Sequence, residues 1–227
     1  MPKIRYVNDS GRQVPSVTTI LGAVIAKPAL VTWANRMGLA GVNISDRTNK
    51  AADVGTAVHE MIRHYLDPYG SANPEFPNTL SASDGDLVAE SFAKFLNWYA
   101  TMQVSVYRVE YSMVSEIGDY GGTADALVYN ASYHQNEQLE LWDFKTGNGI
   151  HDDYIYQLGA YCGLCSDHGL VVKRARIIRI STKSDEQVEC RCLDESMLTL
   201  GRELFAKALD IYHIQQEITE YKKTGGW

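Results

Sequence analysis

The stretch from Gly121 to Tyr161, GGTADALVYNASYHQNEQLELWDFKTGNGIHDDYIYQLGAY, constrains the fold of this chain more than any other. Two alternating apolar runs, Thr123 to Tyr129 and Gln138 to Phe144, flank the polar loop Asn130 to Asn136, as in a β-hairpin with a long loop. Folding that loop about His134 sets Asp125 opposite Asp143. Cross-strand neighbours have Cβ atoms about 5 Å apart, so two carboxylates that repel each other are held together, an arrangement that calls for a cation. Strand period turns Lys145 to the same face as Asp143.

The preceding run, Val104 to Val114, carries Glu110, and a turn at Gly118 sets it opposite Asp125. Acids are therefore expected on three adjacent strands. After the Thr146-Gly147-Asn148-Gly149 turn, Asp152 to Cys165 reads as a helix, and Gln157 and Tyr161, four residues apart, share one of its faces.

Asp125, then Asp143-Phe144-Lys145-Thr146-Gly147, then Gln157 and Tyr161, preceded by Gly55-Thr56-Ala57-Val58-His59, form a pattern that resembles the RecB-type branch of the PD-(D/E)XK nucleases. Pro15-Ser-Val-Thr-Thr-Ile-Leu21 also looks like the opening of the mitochondrial genome-maintenance exonucleases and their small phage-type relatives. Each motif alone is weak, but five in order and at family-like spacing are specific. Ala124 departs from the family pattern, in which a proline precedes the first metal aspartate, although RecB-type members often lack it.

The resemblance implies a metal-dependent DNA nuclease, either an exonuclease or an endonuclease, using Mg²⁺ or Mn²⁺ as one or two ions. It implies Asp125 and Asp143 as metal ligands, the Phe144 carbonyl as a further ligand, and His59 as a ligand of a second ion or an active-site group. Lys145 would orient the water and the scissile phosphate, Gln157 and Tyr161 would hold Lys145 or the phosphate, and Glu110 would be a supporting acid. The residue types suit the chemistry. Phosphodiester hydrolysis needs a nucleophilic water, charge stabilisation and help for the departing oxygen, which a hard cation among oxygen ligands supplies.

A net charge of −7 is unusual for a chain that holds a polyanion, until it is divided along the sequence. Residues 1–50 carry seven Lys/Arg against two acids, residues 51–161 four against sixteen, and the remainder ten against ten. An acidic centre beside a basic N-terminal part fits carboxylates that hold metal while other segments hold phosphate. Lys27, Arg36, Arg63, Arg174 and Arg176 are the candidate DNA contacts; Arg174 and Arg176 alternate onto one strand face, either solvated or phosphate-facing. The expected partner is DNA, single-stranded or with free ends, and protein partners are left open. No run of eighteen apolar residues appears and no signal-peptide core follows the first residues, so a cytoplasmic location is expected, in the host cytoplasm if phage-encoded, with no membrane partner.

Cys162 with Cys165 and Cys190 with Cys192 have the spacing of a zinc or cluster site. RecB-type members that carry an iron–sulfur cluster place one cysteine ahead of the nuclease core and three near the C-terminus, which this chain does not. No iron–sulfur cluster is expected, and Cys190 and Cys192, on one strand face with Val188, read as buried thiols.

The rest of the chain frames this core. Residues 3 to 14 read as two short strands about an Asn8-to-Gly11 turn; Ser16 caps a Val17 to Val24 helix, and a second helix, Ala29 to Met37, ends at Gly38, with Trp33, near Arg36 and Lys27, read as core in preference to a single-strand groove. Ser45 to Thr48 opens a helix running to Leu66, and after a Pro- and Gly-rich loop the Ser83-to-Asp86 segment caps a helix to Met102. Lys173 to Thr182 and Gln187 to Leu193 form a hairpin about Ser184-Asp185, and Asp194 starts a last helix to about Tyr221. The expected fold is α/β in one nuclease domain, 1–227: a restriction-endonuclease-like central mixed sheet of about five strands flanked by helices. It comprises a mainly helical N-terminal part (1–102) arching over the site as a lobe, the catalytic sheet with the Gln-Tyr helix (103–193) and a C-terminal helix (194–227). The rival readings are a non-catalytic nucleic-acid binding protein on a nuclease fold, a hairpin with merely solvated acids, and a zinc hydrolase, for which no HExxH-like spacing exists.

Overall fold

The computed structural model describes residues 6–67, 74, 76–131 and 138–225, apart from the side chains of residues 46 and 47. In chain order these form β1 (Tyr6–Val7), β2 (Gln13–Val14), α1 (Val17–Val24), α2 (Pro28–Leu39), α3 (Ile44–Leu66), α4 (Ala82–Tyr99), β3 (Val104–Ser115), β4 (Tyr120–Asn130), β5 (Gln138–Lys145), α5 (Asp153–Asp167), β6 (Arg174–Arg179), β7 (Glu189–Leu193) and α6 (Glu195–Lys223). The His134 loop centre and part of the Pro- and Gly-rich loop, residues 68–73 and 75, lie outside the described residues.

The sheet order is β3-β4-β5-β6-β7, the expected five-stranded mixed sheet. Its neighbours pair antiparallel except β5 and β6, which are parallel and therefore need a crossover, supplied by α5. Ala126 pairs with Trp142, the register that folding about His134 implied, and Ile178 pairs with Cys190, so the second hairpin is centred on Ser184, half a residue from the Ser184-Asp185 turn expected. Alternation along the strands gives the sheet two apolar faces. Leu127, Leu141 and Ile177 pack with α1, α5 and α6, whereas Val128, Trp142, Phe144 and Ile178 pack with α3 and α4. The N-terminal helical part is thus divided between the two faces.

Several local expectations are corrected. α2 runs past Gly38 to Leu39 and turns off at Gly41, whose φ of +69° suits a residue without a Cβ. It has no buried residue, so Trp33, only half-buried, is not the core side chain expected. α4 is capped by Ser81 rather than by the Ser83 segment, because Ser81 and Asp84 satisfy each other's backbone N–H in a capping box. Cys192 is exposed, while Cys190 packs beside the α3/α4 face and Cys162 and Cys165 pack on the α5/α6 face. The two cysteine pairs therefore lie on opposite sides of the sheet and do not form one four-thiol site. No single described helix is long and apolar enough to cross a membrane.

The crossover helix is held against α6 by two facing glycines. A Cβ on Gly201 would stand 2.4 Å from the Ile155 carbonyl oxygen, and one on Gly159 would stand 2.3 Å from the Arg202 backbone nitrogen. Backbone cannot rotate away as a side chain can. Gly201→Ala is therefore expected to push α6 off α5 and cost about 1–3 kcal/mol, seen as a melting temperature several degrees lower. An unchanged melt would show that the contact has slack.

Candidate active site

The strands that carry the acids part where the acids lie. Paired register between β4 and β5 ends at Ala126–Trp142, one step short of Asp125 and Asp143. There the Phe144 backbone N–H donates to Asp125 Oδ2 at 2.7 Å instead of extending the ladder. Asp125 and Asp143 thus face each other in register but across a fork, with Asp125 anchored to the backbone of β5. α3 closes over this end of the sheet because Gly55 lets it come near the turn after β5: a Cβ on Gly55 would meet Thr146 Oγ1 at 2.6 Å. That approach brings His59, one turn further along α3, to 4.0 Å between Nδ1 and Asp125 Oδ2 and into edge contact with Phe144.

On the other side, α5 supplies a polar relay. Lys145 Nζ stands 2.7 Å from Asp143 Oδ2 and donates to Gln157 Oε1 at 3.2 Å, and Gln157 Nε2 donates to Tyr161 Oη at 2.9 Å. The ammonium also lies 4.8 Å from the Tyr154 ring centroid. The sequence-predicted Asp125, Asp143, Lys145, Gln157, Tyr161, Phe144 and His59 are therefore brought together by four elements: α3, β4, β5 and α5.

The electrostatics of the cluster follow from its depth. Burial raises the Asp143 carboxyl well above the usual carboxylate range, with Asp125 adding to the rise and Lys145 opposing it. Asp125 is raised as well, by burial, against Lys145 and the Phe144 N–H. Burial alone would lower the Lys145 ammonium, but the two aspartates outweigh it and its pKa ends above normal. Burial in the cleft, helped by Lys145, lowers His59 to about 4, so its imidazole is neutral at pH 7 and able to act as a ligand, although 31% of the side chain still meets solvent.

Glu110 takes the place expected of it in the sheet, between the pairs Val109–Ala126 and Tyr111–Ala124 and hence opposite Asp125. Its φ of +47° is left-handed, a strained conformation for a residue with a Cβ. Desolvation in the cleft, then Asp125 and Glu60, raises its carboxyl to about 7 against the pull of Arg63. The side chain remains exposed, so solvent screening blunts that rise.

The sequence reading missed Glu60, which is 8% exposed and paired with Arg63 at 2.7 Å. Its place next to His59 and three residues before Arg63 was the signal that could have found it. It also missed Tyr154 over the lysine and Tyr6, whose hydroxyl is 2.9 Å from Thr123 Oγ1 beside the Glu110 strand. The candidate DNA-binding cations do not gather into one patch. Arg176 is engaged by the fully buried Glu140, its Nε donating to Oε2 at 2.8 Å, which corrects its reading as a phosphate contact. Arg63 is held by Glu60 at the edge of the site, Lys27 by Asp153 at 2.7 Å beside the start of α5, and Arg174 is half-buried. Arg36 is exposed on α2.

Among the described residues, no three His, Cys, Asp or Glu side chains stand close enough together to enclose an ion as placed. The donor set nevertheless fits a hard cation. Two carboxylates converge, and buried Asp143 Oδ2 has no well-aligned hydrogen bond despite the nearby ammonium. An ion there would supply the charge compensation that Lys145 Nζ now provides alone.

No protein-family model matches the chain, and no curated protein matches it. Similar solved structures include an alkaline exonuclease from Laribacter hongkongensis, with 15% identity over 78% of this chain and 92% of that one and a TM-score of 0.41. A putative exonuclease from Eubacterium rectale is 10% identical over 76% of this chain and 68% of that one, with a TM-score of 0.42. The Laribacter exonuclease in complex with dAMP is 12% identical over 78% and 97%, with a TM-score of 0.35. At such scores these likenesses carry no argument about what this chain does.

Proposed function

We propose that this chain is a metal-dependent DNA nuclease of the PD-(D/E)XK, RecB type, acting as an exonuclease. One observation carries the reading: the Asp143–Lys145–Gln157–Tyr161 relay beside Asp125 and a neutral His59. Asp125, Asp143 and the Phe144 carbonyl would hold Mg²⁺ or Mn²⁺, with His59 at a second ion. Such a cation lowers the pKa of a bound water and stabilises charge on phosphoryl oxygens.

The chain's own groups then have distinct tasks. Lys145, cationic and aimed by Gln157, offers N–H groups to a phosphate oxygen and orients the water. Tyr161 fixes the Gln157 amide so that its carbonyl faces the lysine. Glu110, opposite Asp125 with its carboxyl raised to about 7, and Glu60, paired with Arg63, are supporting groups and not the main source of negative charge. Digestion of 5′- and 3′-labelled single-stranded, double-stranded and circular DNA with Mg²⁺, Mn²⁺ or EDTA tests the reading. Release of mononucleotides from ends, abolished by EDTA, is expected, while metal-independent cleavage or none at all would overturn it.

An acidic site repels DNA away from its metal, so affinity must come from cations outside it. Each cation withdrawn from a phosphate should reduce the slope of log K against log salt by about 0.7 for a single strand. Lys27→Ala combined with Arg36→Ala is therefore expected to weaken DNA binding in Ca²⁺ and to flatten its salt dependence without altering Mn²⁺ affinity. An unchanged slope would mean that these two side chains are solvated and touch no phosphate.

A further inference from the structure

The longest helix carries a second apolar stripe that the domain does not use. α6 is seated on the core through Leu198, Gly201, Phe205 and Ala208. Six of its other large apolar side chains are exposed: Met197 (39%), Leu200 (59%), Ile211 (46%), Ile214 (55%), Ile218 (49%) and Tyr221 (66%). Their spacing alternates three and four residues, the a and d positions of a heptad, with half-buried Leu204 filling the next a position and Lys207 alone breaking the series. At 100° per residue this stripe lies about 120° around the helix from the buried one. It is a separate seam and not the fringe of the core.

The helix also outruns its support. From Ile214 to Lys223 every residue is exposed, so about 15 Å of helix projects with no packing of its own. A segment that short is marginal as an isolated helix in water, and its stability calls for a partner on the apolar stripe.

We infer that this stripe is the seam of a parallel coiled coil with α6 of a second copy of this chain. Charge selects that occupant. The g positions beside the seam are Glu203, Asp210 and Glu217, while the e positions are Gly201, Ala208, Gln215 and Lys222. Antiparallel pairing brings the acidic g rows together and is repelled. Parallel pairing brings the two Lys207 side chains of the seam together once, but it sets each Glu217 against Lys222 of the other copy, an attraction made twice by symmetry, and keeps the three acidic g positions apart. A membrane surface fits less well, because α6 carries five acids against four basic residues and two of those, Lys222 and Lys223, are confined to its last turn. Six side chains of roughly 200 Å² at about half exposure offer about 600 Å² per copy, or about 1,200 Å² in the pair, above the roughly 1,000 Å² a specific interface needs.

Sedimentation of the full-length protein over a wide range of concentration tests the inference. Wild type is expected to run at twice the chain mass of 25.3 kDa, and Ile214→Glu combined with Ile218→Glu at the monomer mass. Both positions are exposed in the single chain, so far-UV circular dichroism of the body should be retained. Glu217→Lys should weaken dimerisation several-fold, and adding Lys222→Glu should restore it. A monomeric wild type, a double glutamate variant that still dimerises, or a charge swap without rescue would each overturn the parallel second copy.

Discussion

Lys145→Ala is expected to reduce cleavage by about 10²- to 10³-fold or more, the cost of removing one preorganised group that stabilises transition-state charge. DNA affinity in Ca²⁺ should change little, since Lys145 is assigned to the reaction step and supplies at most one of the phosphate contacts that set affinity. A second, independent readout follows from the buried acids. Lys145 Nζ is the cation beside Asp143 and Asp125, and its removal leaves two buried carboxylates facing each other without compensation. In metal-free buffer at neutral pH the variant should melt below wild type, and saturating Mn²⁺ should narrow the gap by supplying the missing charge. Turnover near the wild-type rate would remove Lys145 from the reaction, and a melt insensitive to Mn²⁺ would remove the ion from this cleft.

The part of the site made by neighbouring antiparallel strands was legible in the sequence. Asp125, Asp143 and Glu110 could be placed because hairpin register follows from a turn and a period of two. The pairs Ala126–Trp142 and Val109–Ala126 follow that register. What the sequence concealed was contact between elements far apart in the chain. Arg176 reads as an outward cation on a strand, yet β6 lies parallel to β5 with Arg176 beside Trp142, which brings its guanidinium to Glu140. A parallel neighbour separated by a whole helix has no local register signal. The fork between β4 and β5 was likewise hidden, because it depends on Asp125 taking the Phe144 N–H that the ladder would otherwise use. α2 misled for a different reason: its apolar residues keep helical spacing, but no described element buries them, and Leu30, Val31 and Leu39 stay exposed.

Asp143→Asn should separate metal binding from folding, with effects of opposite sign. Burial raises the Asp143 carboxyl to about 6 in the folded chain, against about 3.9 when unfolded. Between those values the native state binds more protons than the unfolded one, so this group's contribution to stability falls as pH rises through the window. At pH 7 the ionised carboxylate is therefore a burden on the metal-free fold. Asparagine removes it, leaving one acid and one lysine where there had been two acids and one lysine. The metal-free variant is expected to melt above wild type at pH 7, and the difference should close as pH is lowered to about 4, where wild type is itself protonated. Mn²⁺ should act the other way. Saturation at about 100 times its dissociation constant stabilises wild type by about 2.7 kcal/mol, and the variant, short of a charged ligand, should gain only a small part of that. Equal Mn²⁺ affinity in the two proteins by calorimetry would place the metal elsewhere in the molecule. A variant less stable than wild type at pH 7 would mean that the attraction between Asp143 and Lys145 outweighs relief of the buried charge.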